Sequence, residues 1–271
     1  MVRIRLPRLI IGSARGMLVC SGRADEARSS GEQTVLSMRR GFFITATDTG
    51  AGKTVFTAAL AARLRAAGRD VVAIKPIASG AAIAAGRRFS ADAVFLEQAA
   101  RSGEPAGAIN PVLLDAPLAP AVAARLQGQT ILPECVAECC RRVAARHEIA
   151  LVEGVGGLLV PLTDGSTVAD FALMLGLPLI VVARPGLGTI NHTALTVECA
   201  RGRGLRVAGI VISGYPDSPG LAEQTNPAEI QRLTGLPVLA VLPLAAGLDV
   251  DAGDQGQWSS VVSSIDIARF L

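Results

Sequence analysis

From residue 41 onward, short runs of apolar residues alternate with stretches whose small and apolar positions recur at helical spacing. The runs are FFIT (42–45), VVAI (71–74), IALV (149–152), LIVVA (179–183), VAGIVI (207–212) and VLAVL (238–242). A half-exposed strand would alternate apolar with polar, so unbroken runs predict strands covered on both faces. Helices are predicted at 54–67, an Ala-rich stretch stopped by Gly68, and at 190–203, where Thr189 is placed to cap. Alternation of strand and helix predicts an α/β fold, a doubly wound, mostly parallel sheet in a single domain spanning 39–271. In such sheets ligands gather beyond the carboxyl ends of the strands.

Residues 1–38 fall outside that pattern. They are rich in Arg, Ser and Gly and have no sustained period, and the apolar stretch at 9–11 is too brief for a secretory signal, so a disordered extension is expected. Half of the 271 residues are hydrophobic and only 3% aromatic, which suits one soluble domain with a sizeable core. No apolar run approaches the roughly 20 residues that a membrane helix needs. The net charge of +3 sits in the extension: six of the 26 basic and three of the 23 acidic residues fall within 1–38, and the remaining 20 of each sign balance. A neutral body offers no electrostatic footprint for nucleic acid or an anionic membrane. The five cysteines form no CxxC pair and lack His partners at ligand spacing, so buried free thiols in a reducing cytoplasm are expected.

The clearest chemistry comes directly after the first strand, where ATDTGAGKT (46–54) leads into a helix. Glycines let backbone N–H groups approach phosphate oxygens, and the helix start adds a positive dipole end. Lys53 reaches the outer phosphates, and the Thr54 hydroxyl suits Mg²⁺. The sheet is thus of the P-loop NTPase type, although Thr47 stands where that loop ordinarily begins with glycine.

Lysine usage points to a second functional group. The chain has 24 Arg but only two Lys, at 53 and 75. A lysine is a compact point charge with transferable protons, which a planar guanidinium does not imitate at a crowded phosphate. Lys75 ends the second predicted strand, on the same side of the sheet as Lys53. Glu153 ends the third, in VEGVGG (152–157), where a charge closing a buried run is hard to explain structurally. Asp92, in SADAV, reads equally as a helix N-terminal residue or as a ligand for Mg²⁺.

Taken together, ATDTGAGKT, KPIASG (75–80), SADA (90–93), INP (109–111), VEGVGG and GTINHTALT (188–196) resemble dethiobiotin synthetases, in that family's order, over 41–212. The resemblance implies an ATP-dependent enzyme that closes a cyclic urea from 7,8-diaminononanoate and CO₂ (or bicarbonate) through a carbamate and a mixed carbamic–phosphoric anhydride. It implies that Gly50, Ala51, Gly52, Lys53, Thr54 and Val55 bind ATP, with Asp92, Glu153, Gly154, Val155 and Gly156 beside them. Thr54, Asp92 and Glu153 would hold Mg²⁺, and Lys75 would be the active-site lysine, acting with Lys53. Thr49 and Ser79 would touch the diamine. Family members are homodimers in which the loop matching Gly188, Thr189, Ile190 and Asn191 reaches the substrate carboxylate of the other subunit. That loop opens a helix, so anion binding there also has a physical basis.

Around the base, the resemblance implicates Ser213, Gly214, Leu242, Pro243 and Leu244. Members commonly carry Asn at the position of Ser213, and a hydroxyl cannot offer the paired donor and acceptor of an amide. Weaker discrimination between adenine and guanine is therefore expected. A competing reading on the same fold is an ATPase switch of the partitioning and site-selection class, which carries a signature lysine where this chain has Asp48.

Overall fold

The computed structural model describes residues 40–271. The disordered extension expected at 1–38 lies outside the described residues.

All six apolar runs become strands of one parallel sheet: β1 (Gly41–Ala46), β2 (Val71–Ile74), β3 (Ile149–Gly157), β4 (Leu179–Ala183), β5 (Val207–Tyr215) and β6 (Val238–Pro243), in the order β6-β5-β4-β1-β3-β2. Successive side chains feed opposite faces, which explains why the runs are unbroken. Phe43, Val72 and Val152 join the core on one face; Ile44, Ala73 and Leu151 join the core on the other. Helices cover both faces, as a doubly wound fold requires. On one side lie α1 (Lys53–Ala66) and α2 (Ala91–Ala100), and on the other α3 (Pro133–Ala144) and α4 (Val168–Leu175). Near β4 and β5 lie α5 (Thr189–Gly202) and α6 (Leu221–Thr234), which pack on each other.

The last residues extend the core. Phe270 packs edge-on against Phe42 and tilted against Phe56, and Trp258 meets Phe95 with ring centroids 5.0 Å apart. The C-terminal segment thereby closes over α1 and α2.

Two expectations need correction. Thr189 does not cap α5: Gly188, in the left-handed region at φ 88°, is the N-cap, and Thr189 is the first helical residue. Its buried hydroxyl has no hydrogen-bond partner among the described residues. The cysteines are not uniformly buried thiols. Cys140 is buried, Cys199 half-buried and Cys135 exposed, and these three are free.

Candidate active site

Three parallel strands, β1, β2 and β3, end side by side, and the residues at and beyond their carboxyl ends build the site. Between β1 and α1, residues 47–52 form the loop expected to cradle phosphate. Gly50 and Gly52 hold φ of 71° and 93°, a region side-chain-bearing residues rarely enter. Position 52 is closed to a side chain for a second reason, because a Cβ there would lie 2.3 Å from Ser213 Oγ. Ser213 is therefore in direct contact with this loop. Thr47, in place of the usual glycine, has no positive φ, and its amide continues the ladder by donating to the Val182 carbonyl at 3.0 Å. Nothing in the local geometry asks for glycine there.

The strand β3 runs past Val152 because it keeps pairing with β1 as far as Ala46 opposite Gly157. This carries Glu153, Gly154, Val155 and Gly156 alongside the loop. Gly156 holds φ 61°, and a Cβ there would lie 2.7 Å from Val160 Cγ2 and in ordinary contact, 3.5 Å, with Thr49 Oγ1.

Lys75 comes directly after β2 and is held through both of its backbone polar groups. Its amide donates to the Ile109 carbonyl at 3.0 Å, and its carbonyl accepts from Asn110 Nδ2 at 2.7 Å. The same Asn110 amide reaches the Val112 carbonyl at 3.0 Å. The Asn of the INP motif is thus the clamp that aims Lys75, a role that its position in the sequence did not disclose. Ser79 sits in a short strand (Ile77–Ser79) paired with Val112–Leu114, which continues the same path.

The side chains converge. Lys75 Nζ donates to Glu153 Oε1 at 2.6 Å and pairs with Asp92 Oδ2 at 2.7 Å; Thr54 Oγ1 lies 2.8 Å from Glu153 Oε1 and 3.0 Å from Asp92 Oδ1. Glu153 is fully buried and Lys75 is 4% exposed. Asp92 stands in the first turn of α2 and also reaches the cluster. Ser90 caps α2 by accepting from the Ala93 amide, and Asp92 turns its carboxylate to Thr54 and Lys75.

The protonation states reflect this crowding. Burial alone would lower the pKa of Lys75, but Glu153 and Asp92 outweigh it and hold the ammonium above its ordinary value. Burial would likewise raise Asp92, yet the pull of Lys75 and the hydrogen bonds from Lys75 and Thr54 bring it below the usual carboxylate range. Lys53 behaves oppositely. Burial, with repulsion from Lys75, pushes it down to about 8, because its attraction to Glu153, Asp92 and Asp48 is weaker.

The oxygens outnumber the protons available to them. A threonine hydroxyl has a single proton, so Thr54 can donate to only one of the two carboxylates that flank it. Glu153 Oε2 is buried with no partner among the described residues. Leaving a charged oxygen unsatisfied in the interior is costly. One hydroxyl and two carboxylates short of donors fit a hard divalent cation such as Mg²⁺, which takes one or two carboxylates and completes its shell from phosphate and water. No group of three or more His, Cys, Asp or Glu poised for a metal occurs among the described residues.

The remaining expected residues lie at the ends of β5 and β6 and at the start of α5. Gly214 makes a bulge in β5 at φ 80°, so that Ser213 faces Leu242 while Tyr215 faces Pro243 of β6, and the Leu244 amide donates to the Tyr215 carbonyl at 2.7 Å. These residues form a rim at the ends of β5 and β6. Gly188, Ile190 and Asn191 open α5, with Asn191 exposed. Among the described residues, no hydrogen bond or ion pair joins them to the Lys75 cluster.

A parallel sheet whose first strand feeds a glycine loop and a Lys–Thr helix start, with a second buried lysine set between two carboxylates, defines a P-loop nucleotide-dependent enzyme. A family model described as "AAA domain" matches residues 40–251. The chain is 52% identical over 203 residues to the ATP-dependent dethiobiotin synthetase BioD of Anaeromyxobacter sp. (strain Fw109-5), covering 75% of this chain and 89% of that one. It is 44% identical over 209 residues to the protein of the same name from Bacillus subtilis (strain 168), covering 77% and 89%. The chain belongs to the ATP-dependent dethiobiotin synthetase family.

Solved structures give the same architecture. The septum site-determining protein MinD complexed with Mg-ADP from Pyrococcus horikoshii OT3 aligns with TM-score 0.51 and 19% identity, over 85% of this chain and 88% of that one. At that identity the likeness shows the fold alone. No helix among the described residues is long and apolar enough to cross a membrane.

Proposed function

We propose that this enzyme closes the cyclic urea of dethiobiotin from 7,8-diaminononanoate and CO₂, coupled to ATP hydrolysis. The observation that carries the reading is Lys75, a buried ammonium clamped beside the phosphate loop between Glu153 and Asp92. One amine of the diamine takes up CO₂ as a carbamate and gives up a proton. A carbamate oxygen attacks the γ-phosphorus, and ADP leaves. The second amine then attacks the carbamoyl carbon, expels inorganic phosphate and closes the ring.

Negative charge gathers between carbamate and phosphoryl oxygens throughout, so the demand on the protein is positioning and electrostatic stabilisation. Lys75 stays protonated and supplies charge rather than acting as a base. The loop from Gly50 to Thr54 and Lys53 orient the phosphates, while Thr49 and Ser79 face the diamine. Thr54, Asp92 and Glu153 would hold Mg²⁺, which supplies neutralisation of phosphate charge. In a homodimer, Gly188 to Asn191 of each subunit would meet the substrate carboxylate of the other. A cytoplasmic setting suits the free thiol of Cys140.

Heavy-oxygen-labelled CO₂ tests the chemistry. The scheme requires each phosphate released to carry a labelled oxygen from CO₂, because the carbamate oxygen leaves with it. Unlabelled phosphate alongside labelled dethiobiotin would exclude the mixed anhydride.

Two further results are expected. Asp92→Asn replaces a carboxylate by a weaker ligand for a hard cation, so the Mg²⁺ concentration for half-maximal activity should rise, by about tenfold. An unchanged Mg²⁺ titration would leave Asp92 as a partner of Lys75 only. The second concerns pH. Phosphate favours the protonated form of Lys53 and raises its pKa in the complex, so ATP affinity should be full below about pH 8 and fall as pH rises through that value. The fall should approach about tenfold per pH unit, as read by calorimetry with a non-hydrolysable ATP analogue. A flat profile across that range would mean that Lys53 does not meet the phosphates.

A further inference from the structure

Arg184 is the first residue after β4, and its side chain is 57% exposed, yet it is not idle. Its Nη2 donates to the Thr49 carbonyl in the phosphate loop at 2.7 Å and lies 3.9 Å from Asp48 Oδ2. Asp48 Oδ1 in turn accepts from the Thr49 amide at 2.7 Å. One guanidinium therefore grips the outer part of the loop, and a charge-assisted donor is the stronger kind of hydrogen bond for doing so.

The residues just after Arg184 lead directly to α5. Asn226 of α6 is 4% exposed, and its Nδ2 donates to the Pro185 carbonyl at 2.7 Å and to the Gly186 carbonyl at 3.2 Å. The Thr189 amide donates back to Gly186 at 3.3 Å, and Gly188 then turns the chain into α5. A buried amide thus fixes the middle of a five-residue turn whose first residue holds the phosphate loop and whose last residue opens a helix. Displacement of the Thr49 carbonyl has a short, pinned path to that helix.

We propose that Arg184 is a positioning residue that couples occupancy of the phosphate loop to the order of the 185–188 turn and the start of α5, and through them to binding of the diamine. This rests on the reading of residues 47–54 as the nucleotide loop. When phosphates settle into the loop and fix Thr49, Arg184 is fixed with it, and the turn is then held at both ends by Arg184 and α5 and in the middle by Asn226.

Amide hydrogen exchange on the full chain tests this, with and without Mg²⁺ and AMP-PNP, in wild type and Arg184→Ala. In wild type, nucleotide should slow exchange in both 47–55 and 185–192, the latter by about tenfold. In Arg184→Ala the protection of 47–55 should remain and that of 185–192 should be lost. Steady-state kinetics should change in step, with KM for the diamine raised about tenfold and the affinity for AMP-PNP changed less than about threefold. No slowing of 185–192 in wild type, or equal slowing in the variant, would overturn the coupling. Failure of nucleotide to protect 47–55 would instead sink the phosphate-loop reading beneath it.

Discussion

Lys75→Arg should lower turnover by at least about a hundredfold, the scale on which lost transition-state electrostatics is felt, while changing the affinity for a non-hydrolysable ATP analogue far less. Charge is retained in this variant, so the loss must come from shape. An ammonium places three donors around one nitrogen, and Lys75 uses them on Glu153 at 2.6 Å, Asp92 at 2.7 Å and the Gly154 carbonyl at 3.4 Å. A planar guanidinium fans its donors in one plane and needs room on its far side, which a side chain 5% exposed does not have. Turnover near that of wild type would remove Lys75 from the chemistry.

Glu153→Gln should weaken both catalysis and the fold. The neutral amide keeps the size of the side chain but leaves Lys75 as a buried cation facing only Asp92, which is itself one-third exposed. Removing one partner of a buried ion pair costs about 3 to 5 kcal/mol, so the midpoint of urea unfolding should fall clearly. The Mg²⁺ requirement should rise by about tenfold or more, since Oε2, which has no partner among the described residues, would no longer belong to a carboxylate able to meet a hard cation. Adding Mg²⁺ and ATP should not restore the lost stability. An unfolding midpoint equal to that of wild type would show that the Lys75–Glu153 contact contributes no net stability.

Much of this was legible in the sequence, and for identifiable reasons. Strands covered on both faces are apolar at most positions, so all six were visible as runs, although β1 also buries Thr45 and the edge strand β6 exposes Val241. Lys53 and Lys75 stood out because arginine serves everywhere else, and Glu153 because a charge closes an apolar strand. The full lengths of β3 and β5 were not legible. Beyond Val152 and Ile212 the chain continues as Glu-Gly-Val-Gly-Gly and Ser-Gly-Tyr, which look like loop, and only pairing with β1 and β6 keeps them extended. Thr189 was misplaced by one residue because Gly188 takes the cap position in a left-handed conformation that threonine would resist. Asn110, Arg184 and Asn226 work through backbone carbonyls of residues mostly distant in sequence, a kind of contact that leaves no local pattern. A proline follows each of the three, Pro111, Pro185 and Pro227, the last inside α6, and is the mark the sequence carries at those positions.

The most direct test is whether the cluster of Lys75, Glu153, Asp92 and Thr54 beside the phosphate loop forms dethiobiotin at the expense of ATP. Purified full-length protein should be incubated with 7,8-diaminononanoate, bicarbonate, Mg²⁺ and ATP, and both dethiobiotin and phosphate measured. Equal amounts of the two products are expected, with neither formed when the diamine is omitted and both formed at least about a hundredfold more slowly when Lys75→Arg replaces the wild type. Phosphate release that proceeds at the same rate without the diamine, and no dethiobiotin, would contradict that assignment.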